Sequence, residues 1–188
     1  MWKTYTCGEN NMDYAFETKH LKIRKFTVED ARTLFRIHSE DGVKRWIPNE
    51  SYADLPQAQR AIDFYIDCVN QKRLPYVLAV ELKENGELIG DTGINEVEGG
   101  CNEVEIGYGI CQKYSGKGYA TELLEAMTQW VCASLGIHVL YGRVIRGNNA
   151  SVRVLEKNGY VFVKEEKNAE DDPYGNGMLV YKKVFYYA

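Results

Sequence analysis

Three runs of strand character follow one another between Tyr76 and Ile110 with nothing helical between them: Tyr76 to Leu82, Leu88 to Val97 and Glu103 to Ile110. The joints carry turn residues, Asn85 and Gly86 at the first and Gly99 and Gly100 at the second, so the three runs read as an antiparallel meander. A doubly wound parallel sheet alternates strand and helix throughout. A chain that lays down three neighbouring strands in succession does not build one.

Helical spacing flanks the meander on both sides. Upstream, Leu21 and Ile23 alternate with charged residues as a short strand, and Thr27 three places before Asp30 resembles a helix N-cap ahead of Ala31, Leu34, Phe35 and His38. Asp54 and Pro56 then open a second helix with a stripe of Ala58, Ala61, Ile62, Tyr65, Ile66 and Val69. Downstream, Leu123, Leu124, Met127, Trp130 and Val131 place a third helix over Tyr119 to Leu135, stopped by Gly136. Val139 to Ile145 reads as a strand, Asn149 to Lys157 as a short helix, and Tyr160 to Glu165 and Met178 to Tyr186 as two last strands. The order is β, α, α, three β, α, β, α, β, β.

Without internal repeats or linker-like tracts, the 188 residues read as one domain, with residues 1–16 as an N-terminal extension. A chain of this length hides about 70% of the surface its unfolded form exposes and needs no staple. Lys plus Arg number 23 against 27 for Asp plus Glu, a formal charge of −4, which gives no help to binding a nucleic-acid backbone. Five cysteines without a CxxC pair suggest neither a zinc cage nor a disulfide framework. Reduced thiols and the absence of a signal-peptide pattern at Met1 to Phe16 point to the cytoplasm. The longest uncharged stretch, Ala126 to Gly142, falls short of the roughly 20 apolar residues that cross a bilayer.

The chemistry concentrates in the run from Glu105 to Glu122, which is strand, Gly-rich turn, helix. Gly116 and Gly118 let successive backbone N–H groups point into one concavity at a helix start, where unpaired donors and the helix dipole favour an anion such as a pyrophosphate. A tight turn before a helix would use the same glycines. The run is not a Walker A loop, because Gly118 stands where Ser or Thr is needed after Gly116 and Lys117, and not a Rossmann fingerprint, because Thr121 stands at the third glycine.

A second run, Gly147 to Phe162 with its paired Asn148 and Asn149, completes the pattern. Together the two runs resemble the GNAT superfamily of acetyl-CoA-dependent N-acetyltransferases, closest to the RimJ and RimL type that acetylates ribosomal-protein N-termini. The resemblance extends from about Glu17 to Phe185. It implies the GNAT fold, an α/β (α+β) mixed and mostly antiparallel sheet flanked by helices. It also implies acetyl-CoA as co-substrate, an amine acceptor, and direct transfer in a ternary complex, with no metal, and it leaves a homodimer open. The family's phosphate loop falls on Lys113, Gly116 and Gly118, with Lys113 departing from the usual Gln or Arg. The cofactor would lie along Ile106, Tyr108 and Ile110 and against Ser115, Lys117, Tyr119 and Ala120. Asn148 would bond the pantetheine arm. Leu155 occupies the position at which many relatives place a Tyr to protonate the thiolate, and Ser151 fills the place of the serine proposed for this in the RimL-type pattern.

The reaction makes its own demands. Moving acetyl from a thioester to an amine requires a neutral amine, a polarised carbonyl and a proton for the departing sulfur. Glu103 and Glu105 share one strand face, opposite Val104, Ile106 and Tyr108, and either could take the amine proton; both could equally be solvated or ion-paired. Ser151 could instead bond backbone at its helix start. His38 lies on an apolar stripe and reads as packed rather than catalytic, and no histidine spacing suggests a metal site. Cys111 lacks an identifiable base. In the family the acceptor groove is bordered by the first two helices and the last loop, which places Trp46, Ile47, Pro48, Tyr52 and the acidic segment Glu165 to Gly177 near the acceptor. Loss of the tyrosine at Leu155 leaves a second reading, a non-catalytic acyl-CoA sensor or interaction module.

Overall fold

The computed structural model describes residues 14–167, 169–170 and 172–185. Its elements in chain order are β1 (Tyr14–Glu17), β2 (Leu21–Arg24), α1 (Ala31–His38), α2 (Asp41–Trp46), α3 (Leu55–Asn70), β3 (Tyr76–Leu82), β4 (Glu87–Glu96), β5 (Glu103–Ile110), α4 (Tyr119–Leu135), β6 (Val139–Ile145), α5 (Asn149–Lys157), β7 (Val161–Glu166) and β8 (Met178–Val184). The strands form one sheet in the order β1-β2-β3-β4-β5-β6-β8-β7. Every neighbouring pair is antiparallel except β5 and β6. The expected mixed, mostly antiparallel sheet flanked by helices is the observed one.

Local chemistry explains the element boundaries. The Thr27 N–H donates to Asp30 Oδ2 at 2.8 Å, closing the predicted capping box ahead of α1. At the start of α3, Asp54 accepts from the Gln57 N–H at 2.8 Å, and Gly136 ends α4 at φ +66°. Adjacent residues of β4 show how the layers divide: Asp91 touches His38 of α1 while Thr92 touches Met127 of α4. Because side chains alternate across a strand, α1 lies on one face of the sheet and α4 on the other. The core between these layers includes Leu21, Ile23, Leu34, Ile62, Val80 and Ile94 with Leu123, Leu124 and Met127, all fully buried.

Three features differ from the sequence expectation. Residues Asp41–Trp46 form α2, a helix of six residues with only Val43 buried, too short to show a periodic stripe. The strand Tyr14–Glu17 straddles the boundary drawn for the extension at residue 16, pairing with β2. Strand ends move by a residue or so, β4 to Glu87–Glu96 and β7 to Val161–Glu166; the end expected at Tyr186 lies outside the described residues. No helix among the described residues is long and apolar enough to cross a membrane.

Candidate active site

The parallel seam between β5 and β6 is short. It joins Glu103, Val104 and Glu105 to Val139, Leu140 and Tyr141 and then stops, so Ile106–Ile110 and the end of β6 part from one another. A cavity of about 730 Å³ fills the opening, within the range usual for small-molecule and cofactor sites. Peptide groups alternate in direction along a strand. Since the Cys111 N–H donates to Ile89 O of β4 at 2.8 Å, those of Tyr108 and Ile110, with the carbonyl of Ile106 past the last rung of the seam, turn the other way, into the cleft. They form an open strand edge.

One end of the cleft is the Gly-rich turn. Ser115, Gly116, Gly118, Tyr119, Ala120 and Thr121 line it. Gly116 and Gly118 have φ +75° and +88°, a left-handed conformation that only glycine adopts readily. The first bond of α4 runs from the Glu122 N–H to Gly118 O at 3.1 Å, leaving the N–H groups of Tyr119, Ala120 and Thr121 without helical acceptors. Such an array of donors suits an anion.

The two faces of β5 have different characters. On the α1 face, Asp91, Gly93 and Asn95 of β4 stand opposite Gly109, Gly107 and Glu105 of β5, and all six line the cavity. Three glycines there leave a trough with open space beside Gly107. Trp46, Ile47, Pro48 and Glu50 wall it from above, and the Trp46 ring comes within 3.8 Å of the space beside Gly147. Glu105 Oε2 lies 3.9 Å from Arg143 Nη1.

On the α4 face, the Tyr108 hydroxyl meets Ser151 Oγ at 3.0 Å. Burial pushes the Tyr108 phenol up to about 12, with the Ser151 bond opposing, so it stays protonated and able to donate at neutral pH. Asn148 Oδ1 accepts from the Ser151 N–H at 3.2 Å and so caps α5. Leu155 is buried against Gly142, whose missing side chain makes its space. A hydroxyl pair from β5 and α5 therefore stands in the cleft where Leu155 offers none.

Sequence reasoning missed a third group. His38, on α1, is 2% exposed. Its Nε2 lies 2.5 Å from Asp91 Oδ2 and its Nδ1 donates to the Glu50 carbonyl at 2.7 Å. Burial alone would lower its pKa; the Asp91 carboxylate outweighs burial, with Glu50 adding to the effect, and holds it up to about 9. Side-chain atoms of His38, Glu50 and Asp91 all lie within 4.8 Å of one another. The apolar stripe correctly buried His38, but its partners lie 53 and 12 residues away and left no local signal.

Other expected residues stand beside the cleft rather than in its lining. Glu103 lies at the start of the parallel seam. Lys113 Nζ is 3.0 Å from Glu87 Oε2, and Lys117 sits 4.8 Å over the Tyr114 ring. Tyr52 is behind the wall, its hydroxyl 3.2 Å from that of Tyr65 and its ring against His38. In the acidic segment, Glu165 pairs with Arg146, Glu166 with Arg143 and Lys164, and Asp172 accepts from the Tyr174 and Gly177 N–H groups; Asp171 lies outside the described residues. Cys111 is buried and its thiol is pushed up by burial, the opposite of a reactive thiolate.

The cleft is thus a sheet that parts in mid-strand around a cavity, with a Gly-rich turn at one end. The acetyltransferase (GNAT) domain model matches residues 20–161, and the chain belongs to this acetyltransferase family. It is 28% identical over 148 residues to the uncharacterized N-acetyltransferase p20 of Bacillus licheniformis, covering 79% of this chain and 82% of that one. It is 29% identical over 144 residues to the uncharacterized N-acetyltransferase YoaA of Bacillus subtilis, covering 77% and 81%. Among solved structures, RimL, a ribosomal L7/L12 alpha-N-protein acetyltransferase in complex with coenzyme A, superimposes with a TM-score of 0.78 at 15% identity, over 89% of this chain and 96% of that one. That likeness shows the fold.

Proposed function

We propose that this acetyltransferase moves acetyl from acetyl-CoA directly to a primary amine, a protein N-terminus or a small amine, through a ternary complex within one domain. The carrying observation is the parting of β5 and β6 after Glu105, which opens a strand edge and a cavity together. An extended pantetheine arm would bond the peptide groups of Ile106, Tyr108 and Ile110 as an added strand does, with Asn148 contributing a side-chain amide. The pyrophosphate would sit on the N–H groups of the turn from Ser115 to Ala120, with Lys113 and Lys117 adding positive charge from its rim. The RimL complex with coenzyme A supports this placement.

The acetyl carbon would then lie between the two faces of β5. The amine approaches through the glycine trough beneath Trp46, in which Glu105 attracts the ammonium while Glu103 and Tyr52 back the walls. Attack forms the C–N bond, the C–S bond breaks, and the sulfur receives a proton from Ser151, which Tyr108 resupplies. The same reading includes cytoplasmic residence, supported by the free thiols of the described cysteines. It also includes a homodimer, supported by the exposed Val161, Phe162 and Val163 on the edge strand β7. Release of free CoA from acetyl-CoA over a panel of amines, small and peptidyl, tests the function; binding of acetyl-CoA with transfer to none of them overturns it.

A further inference from the structure

An amine reaches the cleft near neutral pH as an ammonium ion and must lose a proton before it can attack. Four carboxylates line the cavity: Glu40, Glu50, Asp91 and Glu105. Three are engaged. Glu40 accepts from the Gln112 N–H at 2.7 Å, Asp91 is bonded to His38, and Glu105 faces Arg143. Among the described residues no hydrogen bond or ion pair engages the Glu50 carboxylate, which opens into the cavity while its backbone carbonyl is held by His38 Nδ1.

We propose that Glu50 is the group that takes the proton from the acceptor amine, positioned by the buried His38–Asp91 pair. The assignment rests on the acetyl-transfer reading of the cleft. His38 joins two elements: Nε2 holds Asp91 on β4, and Nδ1 donates to the backbone of Glu50 in the turn between α2 and α3. This bridge fixes the turn over the trough, on the face of β5 opposite Ser151 and Tyr108. Proton acceptance and proton donation are thus separated across the strand along which the thioester would lie.

The surroundings tune Glu50. Glu50 is exposed to solvent across the cavity, yet the crowding of the surrounding wall and the negative charge of Asp91 raise its pKa to about 7; His38 pulls the other way and Glu105 adds a smaller upward push. The hydroxyls of Tyr52 and Tyr65 are further titratable groups that face it. A base is most effective with a pKa near the working pH. The balance is complete: one ammonium proton passes to Glu50 and on to solvent, and the amine nitrogen bonds the acetyl carbon. The second nitrogen proton leaves through solvent, and Ser151 and Tyr108 hand one to the departing sulfur and regain it from solvent. The products are the amide, the CoA thiol and one released proton.

The experiment uses the full chain with the best amine from the panel, and records kcat/KM against pH with acetyl-CoA affinity measured separately by calorimetry. Wild type should show an acid limb with a midpoint close to 7. E50Q should lower kcat by about 100-fold or more, the usual range for a lost proton-transfer group, remove that limb, and hold acetyl-CoA affinity within about threefold. E50D, one methylene short, should keep the limb at reduced kcat. H38Q should shift the limb with a smaller loss of kcat, which a merely structural role would not do. Wild-type turnover and an unchanged limb in E50Q overturn the assignment, as does a limb lost only in E105Q. Should wild type lose its rate to a chelator and regain it with a divalent ion, His38, Glu50 and Asp91 hold a metal and the proposal falls. Acetyl-CoA binding without transfer to any amine refutes the acetyl-transfer reading instead.

Discussion

Ser151 and Tyr108 lie 43 residues apart in the chain and 3.0 Å apart at their hydroxyls. A serine hydroxyl alone is a poor acid, whereas one backed by a protonated phenol can pass a proton on and be refilled. Ser151→Ala should therefore lower kcat while leaving CoA affinity within about threefold, and Tyr108→Phe should lower kcat by a similar factor with the double variant no worse than either alone, since the two act as one unit. Full additivity in steady-state turnover would contradict the relay. Asn148 separates two roles of one side chain. Asn148→Ala should cost about 1 kcal/mol of stability through the lost cap as well as weaken CoA, whereas Asn148→Asp keeps the capping oxygen and loses only the amide donors. Thermal melts and calorimetry on the pair distinguish these effects. Ser151 and Asn148 were legible from the second motif; Tyr108 was legible as a cleft residue, but its pairing with Ser151 was not. Glu50 and Asp91 carried no local pattern, because the contact that gives them meaning runs through His38.

At the scale of elements, the meander and the amphipathic helices were readable because periodic burial repeats over a long enough stretch. The six residues of α2 and the four of β1 repeat too few times to register. The glycines of β5 were read as strand residues only; that Gly107 and Gly109 face Gly93 and Asp91 across the β4–β5 pairing, leaving a floor without side chains, follows from register and not from composition. Two substitutions test the division of labour between the turn and the trough. Gly118→Val forces a branched side chain into φ +88° and should weaken CoA at least tenfold, about 1.4 kcal/mol. Gly107→Val fills the open space on the trough face and should raise KM for the amine while sparing CoA. Calorimetry with CoA and initial rates against amine concentration read the two effects separately, and equal losses in both would merge the sites.

For the molecule as a whole, the buried His38–Asp91 pair links stability to pH. His38 is held up to about 9 in the fold against 6.5 for a free imidazole. Its contribution is fully present below pH 6.5 and is lost as pH rises through 9. The melting temperature should fall across that window, and Asp91→Asn should flatten the slope while lowering stability at pH 6. A slope unchanged in Asp91→Asn would place its origin elsewhere.

The seam between β5 and β6 consists of three residue pairs, and beyond it the sheet is two half-sheets with facing edges. Whatever lies in the gap supplies the rungs that the chain leaves out. Amide hydrogens at Tyr108 and Ile110 should exchange rapidly in the bare protein and slowly once acetyl-CoA is bound. At a free ligand concentration about 100 times Kd, the added stability is about 2.7 kcal/mol. The thioester would then form one bank of the trough through which the amine must pass, so the acceptor has no complete channel until the donor is seated. Under the proposed function the donor would then arrive first, and a cell depleted of acetyl-CoA would hold this protein in its more fragile, more easily digested form.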